Sequence, residues 1–291
     1  MRSGIEALAD TFPDQAGNAV FPEWAQMSII TLITDFGLDN WFVGSMKGVI
    51  KNINPDVEIV DMTHAIRPHN ISEAAFVLQN CYGYFPSGTI HTVVVDPGVG
   101  SERNAIIVKS VRYFFVGPDN GVLSYAVDRE EIETVVKIQN EKYLLVPVSA
   151  TFHGRDLFAP VSAYLSLGVE VGEFGPSLQT ITKLKPSVPQ KIGDREIVGH
   201  ILCIDPFGNL ITDVTGALME ELLKLSKVGR FRILIRDREI DRIHQTYSQG
   251  KENELIALIG SSGHLEISVN RGRATDILGV KEGEQFILKV L

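Results

Sequence analysis

The stretch ATFHGRDLFAP, residues 150–160, sets a histidine, an arginine and an aspartate within four positions between apolar flanks. Ionisable groups at the lip of an apolar segment are costly unless each has a partner or a task. An imidazole there can hold or deprotonate a small molecule, whereas a guanidinium and a carboxylate can pair or steady a turn. Asp156 stands just before the apolar segment LFAPVSAYLSLG, where a helix N-terminus favours an acid. On these residues alone the task of His153 stays open. Arg155 and Asp156 are expected to hold the turn and cap the helix.

Three other carboxylates recur at the carboxyl end of an apolar run: Asp35 after SIITLIT, Asp61 after VEIV, and Asp96 after TIHTVVV. In open α/β sheets ligands bind beyond the carboxyl ends of the strands, so the three could line one crevice. Each could equally cap the turn or helix that follows it. VVVDPGVGSER offers a glycine-rich loop, but the segment after it, NAIIVKS, has the pattern of a strand and not of a helix that would bind phosphate at its N-terminus. That leaves a shaped turn with Asp96 and Arg103 as its ionisable ends. GPDNG, 117–121, has the composition of a tight reversal. In CIDPFGNLITD, Phe207 could stack on a ligand while Asp205 and Asn209 accept and donate, as suits a purine, a ribose or an amino-acid head group. The same residues could form only a turn with an exposed aromatic. GSSGHLEISVN adds a serine-glycine turn before a strand. The seven histidines form no H-x-x-x-H or H-E-x-x-H pair, and no G-x-S-x-G elbow is present. Neither a metal nor a cofactor is expected.

The elements that must position these residues fall into two patterns. From Ser28 to about Leu184, short apolar runs (SIITLIT, VEIVDMT, TIHTVVVD, NAIIVKS, YFFVG) alternate with the helical patterns WFVGSMKGVIKNI and SEAAFVLQNCYGYF, the latter starting near Ser72. This order predicts an α/β domain over 27–184 with a mostly parallel central sheet. Residues 185–196, with two prolines and no apolar periodicity, read as a linker. Over 197–291, IVGHILCID, RFRILIR, LIALIG, HLEISV and QFILKV are short strands between glycine-bearing turns, with one helix near ALMEELLKL. A small β-barrel domain is expected there.

Composition excludes several classes. Of 291 residues, 44% are hydrophobic and 22% charged, a globular balance with ample material for a core. A net charge of -9 argues against a nucleic-acid partner. Cys81 and Cys203 have no metal-ligand spacing and are expected to be buried thiols. No apolar run is long enough to span a bilayer, so no membrane partner is expected. Residues 1–26 lack a signal-peptide core and sustained periodicity, and either a natural start at Met27 or a disordered leader is expected in preference to a structured extra element. The cytoplasm is the expected compartment.

Taken in order, TDFG (34–37), DMTH (61–64), VDPGVGSER (95–103), GPDNG (117–121), TFHGRD (151–156) and FGN (207–209) form a specific set. With them the chain resembles the S-adenosylmethionine hydroxide adenosyltransferases, adenosine-forming hydrolases related to the fluorinating and chlorinating enzymes. The resemblance covers residues 28–291. It implies an α/β domain followed by a β-barrel, and a homotrimer whose ligand lies between one subunit's N-terminal domain and the next subunit's C-terminal domain. It implies an Asp-Arg-His triad, falling here on Asp96, Arg103 and His153. Implied ligand contacts fall on Asp35, Asp96, Phe152, Asp205 and Asn209, and with looser alignment on Ser261, Glu266 and Val269. The implied reaction is in-line attack of water on the 5′ carbon of S-adenosylmethionine to give adenosine and methionine, with the unnatural R-sulfonium epimer raised as the preferred substrate. Two departures stand out: Thr212-Asp213 where members often read T-N after FGN, and P-H-N-I at 68–71 in place of a more acidic version. Both touch fine substrate preference and leave the triad intact. Rival readings are a halide adenosyltransferase on the same fold, a non-catalytic S-adenosylmethionine or adenosine binder, and a methyltransferase, which lacks here its glycine-rich loop ahead of a helix. The related halogenases have a non-acidic residue where this chain has Asp96, whose charge would repel a halide.

Overall fold

The computed structural model describes residues 28–224 and 230–291, and the leader expected over 1–26 lies outside them. The described chain divides after Leu184 into two compact units.

The first unit is built on a six-stranded sheet of order β2-β1-β3-β5-β4-β6. Its strands are β1 (Ile29–Thr34), β2 (Glu58–Thr63), β3 (Ile90–Val94), β4 (Ala105–Ser110), β5 (Phe114–Pro118) and β6 (Ile132–Lys137). The pairings β1–β2, β1–β3 and β3–β5 are parallel, while β4 runs antiparallel to both β5 and β6. Every residue of β3 is buried, as is all of β1 but its first, as befits strands covered on both faces. The crossover from β1 to β2 is helix α1 (Phe42–Ile53), which buries Val43, Met46 and Ile50 at spacings of three and four. Helix α2 (Ile71–Cys81) leads from β2 towards β3. Its start differs from the Ser72 expected: Asn70 is the N-cap, and its side chain accepts from the Glu73 amide at 3.1 Å. The short α3 (Ser124–Val127) follows β5, and α4 (Ala159–Ser166) follows a single π-helical turn, Gly154–Phe158. A 2.7 Å hydrogen bond between the buried hydroxyls of Thr92 and Ser162 ties α4 onto β3. His91, beside Thr92, belongs to the core: it stacks on Phe115, and burial pushes its ring down to about 3, so it stays neutral.

In the second unit a single sheet follows the path β11-β10-β15-β8-β9-β14-β13-β12, with β7 (Gln190–Lys191) also pairing β8 (Glu196–Ile204). The other strands are β9 (Leu210–Thr215), β10 (Phe231–Ile235), β11 (Arg238–Ile240), β12 (Ile243–His244), β13 (Leu255–Ile259), β14 (His264–Val269) and β15 (Gln285–Val290). Its helices are α5 (Gly216–Leu223) and α6 (Ala274–Leu278). Burial alternates along β8, so one face of this strand meets the core. Residues 196–200 of β8 pair with β15, and 201–204 pair with β9, so the sheet curls about this one strand. Among the described residues the path ends at β11 and β12 without a ladder joining them, and the expected small barrel takes the form of a curled sheet with two ends. Part of the expected linker, Gln190–Lys191, is itself a strand of this sheet.

Candidate functional site

Because β2 and β3 flank β1 and both run parallel to it, the carboxyl ends of the three strands lie along one edge, where α/β sheets bind ligands. Asp35 and Asp96 follow β1 and β3 there, and Asp61 lies near the end of β2. They do not share one fate. Asp61 is held by Lys47 Nζ at 2.5 Å and by its neighbour His64. Burial works to raise its carboxyl, but those two partners outweigh it and hold it below the usual carboxylate range. Asp35 accepts the His69 amide at 2.8 Å. Asp96 meets Arg103.

Arg103 joins Asp96 to His153. Its Nε donates to Asp96 Oδ1 at 2.9 Å and its Nη2 to Asp96 Oδ2, a two-point clasp. The same Nη2 donates to His153 Nδ1 at 2.7 Å. The side chains of Asp96 and Arg103 are only 5% and 11% exposed, and the guanidinium lies over the Phe158 ring, 5.4 Å from its centroid. Two features of the loops make this meeting possible. Gly100 has φ +76°, and a Cβ there would fall 2.3 Å from the Ala150 carbonyl oxygen. Only glycine lets the 96–103 loop press so closely on the segment that carries His153. Asn120 of GPDNG donates to the Val95 carbonyl at 2.9 Å, steadying the backbone just before Asp96. The reversal expected at GPDNG thus also supports the site.

An arginine is always a donor, so His153 Nδ1 must accept and the ring proton sits on Nε2. Burial, and after it the charge of Arg103, lowers the His153 pKa and favours this neutral form. Beside it Phe152 is buried against Phe36, Trp41 and Phe42, edge-on to all three, with ring centroids 6.0, 5.6 and 5.1 Å away. Trp41 is 60% exposed and gives the site an aromatic wall that the sequence reading missed. A tryptophan opening a helix and left in solvent is a signal only once the fold is known.

Arg155 and Asp156 do hold a turn, as expected, but the expected cap is corrected. The helical segment has no side-chain cap. Asp156, 0% exposed, instead receives Arg155 through Nε and Nη2 at 2.6 and 2.9 Å, and the Ser149 amide at 2.8 Å. Its carboxylate reaches back along the chain instead of forward to the helix amides. A groove of about 520 Å³ lined by Val49, Ile53, Leu145, Pro160 and Tyr164 also takes in Arg155, but not Asp96, Arg103 or His153.

In the second unit Asp205 and Asn209 are brought together and bound to each other. Asp205 Oδ1 accepts the Asn209 amide at 2.8 Å and Oδ2 accepts Asn209 Nδ2 at 2.9 Å, while Phe207 between them is exposed. Glu266, on β14, is buried. Its Oε1 accepts the Tyr247 and Ser268 hydroxyls, each at 2.7 Å, and its Oε2 faces Gly260, where a Cβ would come within 2.6 Å. Burial, then the Glu266 carboxylate, push the Tyr247 phenol up, so it stays a donor. Ser261 is exposed in the 260–263 turn. The Val269 side chain packs in the apolar core of this unit. Asp213, the acid standing where T-N was the usual reading, accepts the Ser187 hydroxyl at 2.8 Å and the His200 amide at 2.7 Å, a structural task. Among the described residues no group of three His, Cys, Asp or Glu side chains is disposed to hold a metal. No helix among them is long and apolar enough to cross a membrane.

Comparison with known proteins follows both units. A family model for the SAM hydroxide adenosyltransferase N-terminal domain matches residues 30–175, and one for the C-terminal domain matches residues 199–287. The chain is similar to the (R)-S-adenosyl-L-methionine hydrolase of Salinispora tropica, 35% identical over 259 residues that cover 88% of this chain and 96% of that relative. More distant is a fluorinase of Nocardia brasiliensis, 23% identical over 297 residues, covering 90% and 97%. Among solved structures, an uncharacterized conserved protein from Thermotoga maritima has a TM-score of 0.82 at 36% identity, covering 90% of this chain and 99% of that one.

Proposed function

The chain belongs to the SAM hydroxide adenosyltransferase family, and from that premise we propose that it hydrolyses S-adenosyl-L-methionine, the R-sulfonium epimer in preference, to adenosine and L-methionine. One observation carries the reading: Arg103 clasps Asp96 and offers the same nitrogen to His153 Nδ1. Water attacks the 5′ carbon in line, the carbon–sulfur bond breaks towards sulfur, and methionine leaves as a neutral thioether. No general acid is needed. One proton must leave the attacking water.

Positioning is then the main task of the protein. With Nδ1 occupied, His153 presents Nε2–H, which supports holding the water oxygen over deprotonating it. Asp96, clasped by Arg103, is the acceptor for the water proton or for a ribose hydroxyl. Asp35 and Phe152 in the first unit are proposed ligand contacts, as are Asp205, Asn209, Ser261, Glu266 and Val269, the last by its backbone. A halide nucleophile would meet the Asp96 charge, which disfavours transfer to halide.

Chromatography of the purified protein with each separated epimer tests the reading. Adenosine and methionine are expected in equal amounts, faster from the R epimer, and unchanged by a chelator. Equal rates on both epimers would remove the preference, and loss of activity restored by a divalent cation would overturn the metal-free mechanism. We further propose a cytoplasmic homotrimer with closed symmetry, each copy built from domains at 27–184 and 197–291, with the ligand bound between copies. Light scattering at assay concentration is expected to give three times the chain mass. A fully active monomer would refute it.

A further inference from the structure

We infer that His64 is a positioning residue for this reaction: held between Thr34 and Asp61, it fixes the Asp35–Gly37 turn so that Asp35 meets the ligand. The inference rests on the reading of Asp35 as a ligand contact.

His64 follows β2 at the same sheet edge as Asp35 and is only 5% exposed. Its Nδ1 lies 2.8 Å from Thr34 Oγ1. That oxygen also accepts the Phe36 amide at 3.2 Å. The Asp61 carboxylate facing Nε2 favours the ring proton there, which leaves Nδ1 to accept the Thr34 hydroxyl hydrogen. Nε2 stands 3.0 Å from Asp61 Oδ1, within ion-pair distance but out of line for a well-aligned hydrogen bond, and Lys47 completes Asp61 from the other side. Polar side chains therefore lead from the Lys47 ammonium to the Phe36 amide, with the His64–Asp61 step made by charge proximity and not by an aligned hydrogen bond.

The same segment grips the turn at two further points. The His64 carbonyl accepts the Gly37 amide at 2.8 Å, and the His69 amide donates to Asp35 Oδ2. His69 holds a left-handed φ of 68°, a conformation that costs a side-chain residue free energy and aims its amide at Asp35. The ladder between β1 and β2 slips here: Leu32 pairs with Asp61 but Ile33 with Thr63, so β2 carries one extra residue opposite β1. Such irregularities re-aim side chains beside active sites. A buried apolar residue would fill the place of His64 at less desolvation cost, but it could not order the Thr34 hydroxyl.

Steady-state kinetics of three variants tests the inference. His64→Phe keeps a ring of similar size without nitrogens, and Thr34→Val removes the hydroxyl while keeping its shape. Thr34→Ser returns the hydroxyl. Contacts made equally to bound substrate and transition state act on KM and spare kcat. KM for S-adenosylmethionine is expected to rise roughly threefold to tenfold in H64F and T34V, the effect of about one net hydrogen bond, with kcat within about twofold and T34S like the parent. Should H64F fail to fold, T34V carries the test. An unchanged KM in T34V, a rise shared by T34S, or a loss of kcat and thermal midpoint alone would overturn the inference. If the parent releases no adenosine, the proposed function falls, and His64 is then judged by amide exchange at Phe36 and Gly37. Faster exchange in T34V than in T34S supports the clamp; equal exchange overturns it.

Discussion

Replacing His153 by alanine is expected to lower turnover by roughly a hundredfold to ten-thousandfold while leaving the thermal midpoint close to the parent value. The ring is partly buried and gives up one hydrogen bond, and Arg103 keeps both of its bonds to Asp96 when it goes. Little stability is at stake. The water it would hold matters most in the transition state, so kcat should fall more than KM rises. Asp156→Ala should behave in the opposite way, costing about 1.5–3 kcal/mol, because a fully buried carboxylate with a backbone amide and a guanidinium on it is lost. If instead Asp156→Ala lost activity at full stability while His153→Ala turned over normally, the roles within HGRD would be reversed.

The same reading fixes a pH dependence. Burial and Arg103 lower the His153 pKa, so the ring should stay neutral below the ordinary imidazole value of about 6.5. Activity is expected to hold as pH falls through that value and to decline only lower, when protonation removes the Nδ1 acceptor. Stability follows the same sign. The unfolded chain takes up its proton near about 6.5 and the folded chain only below it, so the contribution is complete above that pH and is lost on falling through the folded value. An acidic limb in kcat/KM at or above about 6.5 that disappears in the alanine variant would count against the neutral donor.

Gly100→Ala is the second large effect expected. Alanine at φ +76° costs about 1–2 kcal/mol, before any overlap with the Ala150 carbonyl is relieved. Relief means that the Arg103 loop and the His153 loop move apart, and the bond from Nη2 to Nδ1 is stretched. Turnover should drop by roughly tenfold or more, with a lower thermal midpoint. Gly98→Ala is the control, since its Cβ would meet Arg103 Cγ and Ser101 Oγ at 3.4 Å without a positive φ. If both variants kept the same turnover, close approach of the two loops would not be what assembles the site.

How far these features could be read in advance depended on how locally they are encoded. Strands such as β1 and β3 are continuous apolar runs because both faces are covered, and they stand out in the sequence. The edge strand β6 buries one residue fully in IETVVK, and its pattern was lost among charges. β9 was hidden because it continues directly out of the FGN turn. The chain order of β4 and β5 was legible; their antiparallel pairing was not. Asp96 and Arg103 are seven positions apart across a glycine loop, and His153 comes fifty positions later. No spacing rule joins them, and only the ordered motifs of the family did. The sequence suggested that Asp156 caps a helix because acids favour that position. The structure gives it a different partner, since a buried carboxylate goes where an amide and a guanidinium converge.

The division of β8 between two partners also bears on the order in which the second unit can form. Val198 pairs with Ile287 and Ile197 with Leu288, contacts that span about ninety residues of chain, whereas β13 and β14 meet across a short turn. Closing so long a loop costs entropy before any ladder bond compensates for it. On a ribosome the β13–β14 hairpin can assemble as it emerges. The first half of β8 must wait for β15, some ninety residues further along the chain, with its edge unmatched on that side until then. In the first unit β1, β2 and β3 lie within some sixty residues, so the pairing of these three strands is under no such delay.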